Sequence, residues 1–511
     1  MGTSQICIMI SIGIYLIGML VVGAICSKKN NTADDFYLGG RQLGPIVTAM
    51  SAEASDMSSW LLMGLPGVAY LSGICDAGWT AIGLALGTYV NWLIVAKRIR
   101  RYSHMSNNAI TIPDFFSNRY RDSSNIIMVI SALIILIFFV PYTASGFAAC
   151  GKLFSSLFGV DYLTAMIISA VVIVGYTALG GFLAASTTDL IQSIVMTIAL
   201  IIVLIFGVHV AGGFGVVIDN AKNLPGYFSM NAMYDLSSKS ATGYGIITKL
   251  STLAWGLGYF GMPHILLRFM AINDHNKLSL SRRVASIWVV ISLAVAIFIG
   301  VVGLAMTNAG AIDVLEGSAS ETIIVRISAL LSTYGIVPAL LAGVILAGIL
   351  ASTMSTADSQ LIAASSAVSK NIFGIFNINM DAKRTMATAR TTLFVIAVIA
   401  AIIARNPDSS VFGIVSFAWA GFGASFGPVV LFALFWRRSN RFGAMAGMIS
   451  GGAMVFIWKY LVKPMGGIWN IYELLPAFIV ACVVIVVVSL LTEAPSSEIT
   501  DEFDRVKALK D

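Results

Sequence analysis

The chain has 511 residues, of which 58% are apolar and 11% are charged. An ordinary soluble domain carries about 25% charged residues, so this composition excludes a soluble globular fold. Apolar runs of about 20 residues, long enough to cross a hydrocarbon layer, recur along the whole sequence. Since backbone groups in lipid must bond within their own segment, such runs predict helices, and the chain is predicted to be all-α and polytopic.

The apolar runs predict thirteen spans. Their bounds are 5–26, 43–68, 76–98, 124–152, 160–182, 188–212, 244–271, 282–306, 335–370, 384–404, 410–436, 441–463 and 473–492. Most Lys and Arg residues then fall on one side, beginning with Lys28 and Lys29 after the first span. The positive-inside rule therefore places the N-terminus outside and the C-terminus in the cytoplasm. It also explains the net charge of +6, so no nucleic-acid partner is indicated.

The second and seventh predicted spans differ from the others, because glycine, proline and polar residues interrupt them in the middle. The second contains the polar run from Ser51 to Trp60, and the seventh contains the run from Trp255 to His264. A pair of interrupted helices in corresponding places indicates a transporter built from inverted repeats. We predict repeats over residues 43–212 and 244–436, inside one transmembrane domain of residues 1–492, followed by a short, solvated cytoplasmic tail at 493–511.

An interrupted helix leaves backbone groups without helical partners in the middle of the membrane, so polar groups must lie there. Carbonyl and hydroxyl oxygens suit a hard cation such as sodium, and the N-terminus of a half helix suits a substrate carboxylate. Asp56 lies in the interruption of the second span, and an intramembrane carboxylate by default marks an ion path. The alternative is that Asp56 only caps the lower half helix.

The ninth predicted span carries a cluster of hydroxyl residues from Ser352 to Ser359. Residues three and four apart share a helix face, so Ser352, Ser355 and Thr356 are able to direct a carbonyl and two hydroxyls at one point. This pattern is typical of a sodium site completed from another helix. The alternative is that the serines only join neighbouring helices by hydrogen bonds.

Several stretches together resemble the proline-carrying branch of the sodium/solute symporter family. They are Leu38 to Arg41, Ala54 to Ser58, Trp60 to Gly67, Trp255 to Gly261 and Ser416 to Gly423. The similarity covers about residues 5 to 495. The resemblance implies the thirteen-helix LeuT-type fold, with two inverted repeats of five helices and discontinuous helices 2 and 7.

The resemblance also implies the residues of the transport sites. It places sodium on the carbonyls of Ala54, Met57 and Ser352 and on the hydroxyls of Ser355 and Thr356. It assigns Asp56 to sodium coupling, Asp189 to the sodium path and Arg41 to the cytoplasmic end of the second span. It maps the proline pocket onto Ser58, Trp60, Tyr142, Trp255, Tyr259 and Pro263. An aromatic pocket suits the apolar ring of proline.

Three positions depart from the pattern of proline carriers. Glu53 and Ser59 stand where those carriers usually have glycine, and Met262 stands where they usually have glutamine. Glu53 lies three residues before Asp56, so a helix makes the two carboxyl groups near neighbours. One hypothesis is that Glu53 makes coupling pH-dependent or helps to hold an additional cation. The alternative is that Glu53 points into a water-filled vestibule.

The expected function is secondary active uptake of L-proline, driven by co-transported sodium and working by alternating access in a bacterial cytoplasmic membrane. The sequence has no arrangement of nucleophile, base and orienting group, so an enzyme is not expected. No obligatory protein partner is indicated. Another small amino acid or a betaine is an alternative substrate. A transporter-like sensor is disfavoured, because only about twenty residues follow the last predicted span.

Overall fold

The computed structural model of the chain describes residues 2–27, 33–375 and 382–509. Lys28, Lys29 and Lys510, on which part of the charge asymmetry rests, lie outside the described residues. Most of the described chain is helical. The helices of its first half are α1 (Thr3–Ser27), α2 (Ala33–Leu38), α3 (Pro45–Asp56), α4 (Leu65–Ser72), α5 (Ile74–Val90), α6 (Ala96–Met105), α7 (Ile112–Arg119), α8 (Ile126–Phe158), α9 (Tyr162–Val210) and α10 (Phe214–Asn223).

The second half of the described chain is helical in the same way. Its helices are α11 (Ile246–Leu253), α12 (Pro263–Ala271), α13 (Leu278–Asn308), α14 (Ile323–Leu331), α15 (Ile336–Ser366), α16 (Phe373–Ile375), α17 (Ala382–Ile403), α18 (Val411–Phe435), α19 (Arg441–Ile457), α20 (Leu474–Leu491) and α21 (Ser497–Ala508). Between α10 and α11 lies a hairpin of two antiparallel strands, β1 (Ala232–Asp235) and β2 (Ser240–Gly243), in which Ala232 pairs with Gly243.

Nine helical segments among the described residues are long and apolar enough to cross a membrane, and each coincides with a predicted span. They are Thr3–Cys26, Ile74–Met105, Ile126–Phe158, Gly181–Val210, His275–Asn308, Ile336–Ile375, Val411–Phe435, Arg441–Met465 and Leu474–Leu491. The other four predicted spans, the second, fifth, seventh and tenth, coincide with shorter helices. The chain is therefore a mostly helical, multi-pass membrane protein.

The second and seventh predicted spans are interrupted in the structure, as the sequence predicts. In the second, α3 ends at Asp56, and after a short non-helical stretch a π-helical segment, Trp60–Gly64, leads into α4. In the seventh, a 3₁₀ segment, Ala254–Gly261, separates α11 from α12. Pro263 begins α12, since proline has no N–H to contribute and fits the first turn of a helix.

The predicted fifth and sixth spans meet without a loop. They form the single helix α9, which breaks at Gly181 with φ 64° and ψ −175°. Glycine is the residue that adopts this positive φ without a steric penalty from Cβ. The two spans, predicted to be separated at residues 183–187, are therefore joined by a sharp bend.

Glycine residues allow the 3₁₀ segment 254–261 to touch α5 at backbone distance. A Cβ added at Gly87 would lie 2.3 Å from the carbonyl oxygen of Gly256, and one added at Gly83 would lie 2.5 Å from that of Leu253. Small residues at such contacts let membrane helices approach closely. This contact fixes the seventh predicted span against α5.

The described part of the tail is solvated on one face only, whereas the sequence predicts a tail that is solvated throughout. Ser497–Ala508 forms the helix α21, and its Phe503 is only 3% exposed. The Phe503 ring lies 6.5 Å from that of Tyr102 on α6, and Arg121 forms an ion pair with Glu498 at 2.8 Å. The tail is amphipathic, and its apolar face packs against α6 because burial removes that face from water.

Replacing Phe503 with alanine should release α21 from the rest of the protein. Loss of a buried aromatic ring costs about 3 kcal/mol, which is large for a helix of this length. Limited proteolysis should then cleave residues 493–509 faster in Phe503→Ala than in the unchanged protein. Asp501→Ala, on the exposed face of the same helix, is the matched control. Equal cleavage rates for both variants would show that the packing of Phe503 does not hold the tail.

Candidate transport site

The end of α3 is the point around which the candidate site is built. The carbonyl of Asp56 accepts a hydrogen bond from the Trp60 indole N–H at 3.0 Å and from the Tyr142 hydroxyl at 3.4 Å. Its carboxylate oxygen Oδ2 accepts from the Tyr259 hydroxyl at 2.5 Å. Asp56 thus links three of the predicted pocket residues, which come from three different spans. Among the described residues its carboxylate accepts from no backbone N–H, so the alternative that it only caps a half helix does not describe this structure.

An aromatic cluster continues from this point along the seventh predicted span. The rings of Trp255 and Trp60 lie 6.5 Å apart, and Trp255 stacks on Tyr472 at 4.8 Å. Trp419 donates its indole N–H to the carbonyl of Trp255 at 2.8 Å, and its ring meets that of Tyr259 edge to face at 5.0 Å. Trp419 and Tyr472 are not among the site residues predicted from the sequence. Trp419 lies in one of the stretches that carry the family resemblance.

A small cavity lies beside Tyr142, whose hydroxyl bonds to the Asp56 carbonyl. Its volume is about 10 Å³, and the residues that line it are Ser58, Tyr142, Thr143, Ser145, Gly146, Thr353, Thr356, Ala357 and Gln360. A cavity of this size holds at most about one water molecule. The lining side chains must therefore move apart before an amino acid enters. Ser58 and Tyr142, which line the cavity, were both predicted to contact substrate. Pro263, another predicted pocket residue, is not in the lining and begins α12 just after the 254–261 segment.

The predicted sodium ligands of α3 and α15 are brought together. The Ser355 hydroxyl lies 2.8 Å from the carbonyl oxygen of Ala54 and 3.2 Å from that of Ser352. The Thr356 hydroxyl lies 3.1 Å from the same Ser352 oxygen. Met57 directly follows the last residue of α3, where carbonyl groups have no partner in a further turn. These neutral oxygens are the donor atoms that a hard monovalent cation requires, so the residues present fit sodium.

Glu53 is buried on a different side of α3. It is 1% exposed, and its Oε1 accepts from the indole N–H of Trp92 at 2.8 Å. A water-filled vestibule around Glu53 is therefore not present in this structure. Trp92 lies in a π-helical segment, Asn91–Val95, that continues α5. A π-bulge often occurs at a functional site, because it turns side chains away from the regular helical positions.

Asp189 lies in a buried network with a cation that the sequence analysis left unassigned. Its Oδ2 accepts from the Ser51 hydroxyl at 2.6 Å and from the Arg268 guanidinium at 3.2 Å. Arg268 also donates to Ser359, which in turn donates to Asp358 at 3.1 Å. Arg268 is 1% exposed, and a buried arginine in a span requires an acidic partner. That rule would have indicated from the sequence that Arg268 has an acidic partner, but not which one.

Arg41 closes the end of the protein at which α3 begins. Its guanidinium donates to the carbonyls of Met270 at 2.6 Å and Ala109 at 2.7 Å. Beside it, the backbone of Leu43 bonds to α12 and the residues that follow: Leu43 N–H donates to Ala271, and Asn273 N–H donates to Leu43. The two interrupted spans are thus joined through their main chains at this end.

Glu321 closes the opposite end. Its carboxylate forms a buried ion pair with Lys152 at 2.8 Å and accepts from Ser410, Val411 and Phe412 at the start of α18. Glu321 lies in a 3₁₀ segment, Gly317–Thr322, between two predicted spans, where the sequence has no periodic signal that would have pointed to it. Asp56 is fully buried between these two sets of contacts.

A multi-pass helical protein whose two interrupted spans surround a buried carboxylate, converging hydroxyl oxygens and an aromatic cluster has the architecture of a secondary transporter. The model of the sodium:solute symporter family matches residues 36–451, and the chain belongs to that family.

Two curated relatives are similar to the chain over nearly its whole length. The sodium/proline symporter of Escherichia coli (strain K12) is 42% identical over 501 residues, which cover 97% of this chain and 95% of that protein. The osmoregulated proline transporter OpuE of Bacillus subtilis (strain 168) is 40% identical over 492 residues, 96% of each chain. Among solved structures, a Na⁺-coupled sialic acid symporter in a substrate-bound, outward-open state has a TM-score of 0.76 at 16% identity, covering 96% of this chain and 99% of that one. This last similarity concerns the fold alone.

Adding one methyl group at Gly258 should disrupt the aromatic cluster. A Cβ there would lie 2.0 Å from the indole nitrogen of Trp419, so Trp419 must give up its bond to Trp255. Overpacking of this kind costs about 1–3 kcal/mol, and Gly258→Ala should lower the thermal unfolding midpoint of the purified protein. Gly413→Ala on α18 is the control, because its Cβ would meet its nearest neighbour, Ser410, at 3.4 Å. Equal midpoints for the two variants would contradict this account of the packing.

Proposed function

We propose that the protein is a secondary active transporter that takes up L-proline together with sodium by alternating access. The observation that carries the proposal is the convergence of α3 and α15 oxygens, with the Ser355 hydroxyl 2.8 Å from the Ala54 carbonyl, next to the aromatic cluster at Asp56. Relatives that are named for sodium and proline transport, and that match nearly the whole chain, support the choice of ion and substrate.

We propose thirteen membrane spans with two inverted repeats of five, at about residues 43–212 and 244–436, in one domain of residues 1–492. The nine long helices and the four positions with shorter helices support this count. The excess of Lys and Arg at the end that carries Arg41 supports a cytoplasmic location for that end and for the tail. The N-terminus then lies outside, and the membrane is the bacterial cytoplasmic membrane.

In this proposal sodium binds to the carbonyls of Ala54, Met57 and Ser352 and to the hydroxyls of Ser355 and Thr356. Ser355 then exchanges its hydrogen bond to Ala54 for a contact with the ion, because an oxygen that binds a cation presents a lone pair. Sodium binding draws α15 and α3 together beside the cavity that Ser58 and Tyr142 line. The ion thereby stabilises the arrangement that receives the substrate, which is the basis of coupling.

Proline enters between the aromatic residues near Asp56. Trp60, Tyr142, Trp255 and Tyr259 enclose the pyrrolidine ring, and Ser58 and the first N–H groups after the break hold its carboxylate. Pro263 delimits the pocket at the start of α12. Asp56 and Asp189 form the ion path, and Arg41 closes its cytoplasmic end.

Transport requires the two closures to open in turn. The Glu321 contacts release for entry from outside, and the Arg41 contacts release for exit to the cytoplasm. One sodium ion that moves down a tenfold gradient and ~100 mV supplies about 3.7 kcal/mol, which concentrates proline several hundredfold. This is sufficient for accumulating a nutrient or an osmolyte.

Replacing Ser355 with alanine should weaken the dependence of proline uptake on sodium. Without one hydroxyl ligand, the sodium concentration for half-maximal uptake should rise about tenfold or more. Uptake of labelled proline into proteoliposomes at increasing sodium concentration measures this value. Ser366→Ala on the same helix is the control, because the Ser366 hydroxyl bonds only to Ala363 within α15 among the described contacts. An unchanged sodium dependence in Ser355→Ala would reject the assigned ion site.

The substrate is tested by competition. Unlabelled L-proline should inhibit uptake of labelled L-proline at far lower concentrations than other small amino acids or betaines do, because the aromatic pocket favours a compact apolar ring with a zwitterionic end. Stronger competition by a betaine would identify it as the substrate. Absence of proline uptake by the purified, sodium-energised protein would refute the proposed function.

A further inference from the structure

The tail helix α21 packs where three other helices come together. The ring of its Phe503 lies 5.2 Å from the guanidinium of Arg98 on α6 and 5.5 Å from that of Arg119, the last residue of α7. Arg119 in turn donates to the carbonyl of Ala433 on α18 at 3.0 Å. The buried contact of the tail therefore connects α6 with α7 and, through Arg119, with α18.

Ion pairs also hold α21 to the segments that follow α7 and α18. Arg121, two residues after α7, pairs with Glu498 at 2.8 Å and also with Glu502. Arg437, two residues after α18, pairs with Asp504 at 3.0 Å. The Glu498 side chain is 68% exposed, and those of Arg437 and Asp504 are 56% and 50% exposed. Salt screens charges that are exposed to this extent, so these pairs weaken as the ionic strength rises.

The helix α6 is attached on its other side to the two interrupted spans. Its Ser103 accepts a hydrogen bond from the Arg41 guanidinium at 3.2 Å, and its Arg100 donates to the carbonyl of Ile272, just after α12, at 2.8 Å. When the Arg41 end opens, α6 is therefore expected to move with the interrupted spans, away from α7 and α18. Because α21 contacts both sides of this gap, it opposes the movement.

We propose that α21 is a salt-sensitive latch on the cytoplasmic exit. While its ion pairs are intact, the latch holds α6 against α7 and α18 and favours the closed arrangement at Arg41. At high ionic strength the pairs weaken, the latch releases, and the open arrangement becomes more populated. The inference rests on the proposed function, which makes the Arg41 end the exit.

The latch would connect proline uptake to the water content of the cell. Loss of water raises the ionic strength of the cytoplasm, which weakens the ion pairs of α21. Proline is a zwitterion without net charge, so its accumulation draws water back without adding ions. The returning water dilutes the cytoplasm, the ion pairs form again, and uptake slows.

The reactivity of a cysteine placed inside the Arg41 closure tests the latch. Ala109 is 2% exposed, and Arg41 bonds to its main-chain carbonyl, which Ala109→Cys retains. The five native cysteines are replaced by serine, and the purified full chain is labelled with a maleimide at constant sodium concentration. Raising potassium chloride from about 0.1 M to about 1 M shortens the Debye length from about 10 Å to about 3 Å and should speed labelling about threefold. Asp501→Ala, on the exposed face of α21, is the control and should show the same increase.

Two sets of charge variants assign the salt response to the tail. Arg121→Glu places a third acidic group beside Glu498 and Glu502, so labelling should already be fast at low salt and should change little when salt is added. Arg437→Asp should also speed labelling at low salt, and combining it with Asp504→Arg should restore slow labelling, because the pair is re-formed with its charges exchanged. The charge exchange keeps the test decisive if Arg121→Glu fails to fold.

Labelling that does not respond to salt in the otherwise unchanged protein would overturn the latch. An undiminished salt response in Arg121→Glu would overturn it as well, since the salt would then act elsewhere. In proteoliposomes with the cytoplasmic face inside, Arg121→Glu should raise sodium-driven proline uptake at low internal salt, and equal rates would contradict a role in transport. Salt-dependent labelling in a protein that takes up no proline would refute the proposed substrate and support the latch.

Discussion

The interruption of the second span at Asp56 imposes the constraint on which the rest of the site depends. The middle of a membrane protein offers no bulk water, so backbone groups that lose their helical partners must bond elsewhere in the protein. Here the Asp56 carbonyl is satisfied by Trp60 and Tyr142, and the Ala54 carbonyl is satisfied by Ser355. The bonds from Tyr142 and Ser355 each bring another span to the break. The site is therefore assembled by the same bonds that make the break tolerable.

The buried carboxylates near the candidate site lie in two regions, which differ in whether a positively charged side chain lies beside them. Around Asp189 and Asp358, the guanidinium of Arg268 supplies a fixed positive charge. Around Glu53 and Asp56 no side chain among the described residues does so. The Asp189 region is compensated by a fixed cation, whereas Glu53 and Asp56 accept hydrogen bonds from the neutral side chains of Trp92 and Tyr259.

Much of this architecture follows from the sequence because membrane helices are encoded locally. Uniform apolar runs predict the long spans, and the polar interruption between Ser51 and Trp60 predicts the break that the structure has. The Ser352, Ser355 and Thr356 spacing identifies one face of α15, because all three residues lie on one helix and need no knowledge of tertiary contacts.

Other features depend on which distant segments meet, and no periodicity encodes that. The pairing of Arg268 with Asp189, the stacking of Tyr472 on Trp255 and the pairing of Glu321 with Lys152 are of this kind. The tail was misjudged for a related reason. Its acidic residues suggested a solvated end, whereas the spacing of Ile499, Phe503 and Val506 along one face of α21 carries the apolar signal for packing.

The main-chain bridge between Leu43 and the end of α12 has a consequence for how this protein is studied. Because the two bonds use only N–H and carbonyl groups, any side chain other than proline at positions 43 and 273 preserves them. Alanine scanning would therefore not detect these main-chain bonds between the two interrupted spans, even if the two spans need them to move as one body. Only a change to the backbone itself, such as a proline or an ester in place of the amide, would expose it.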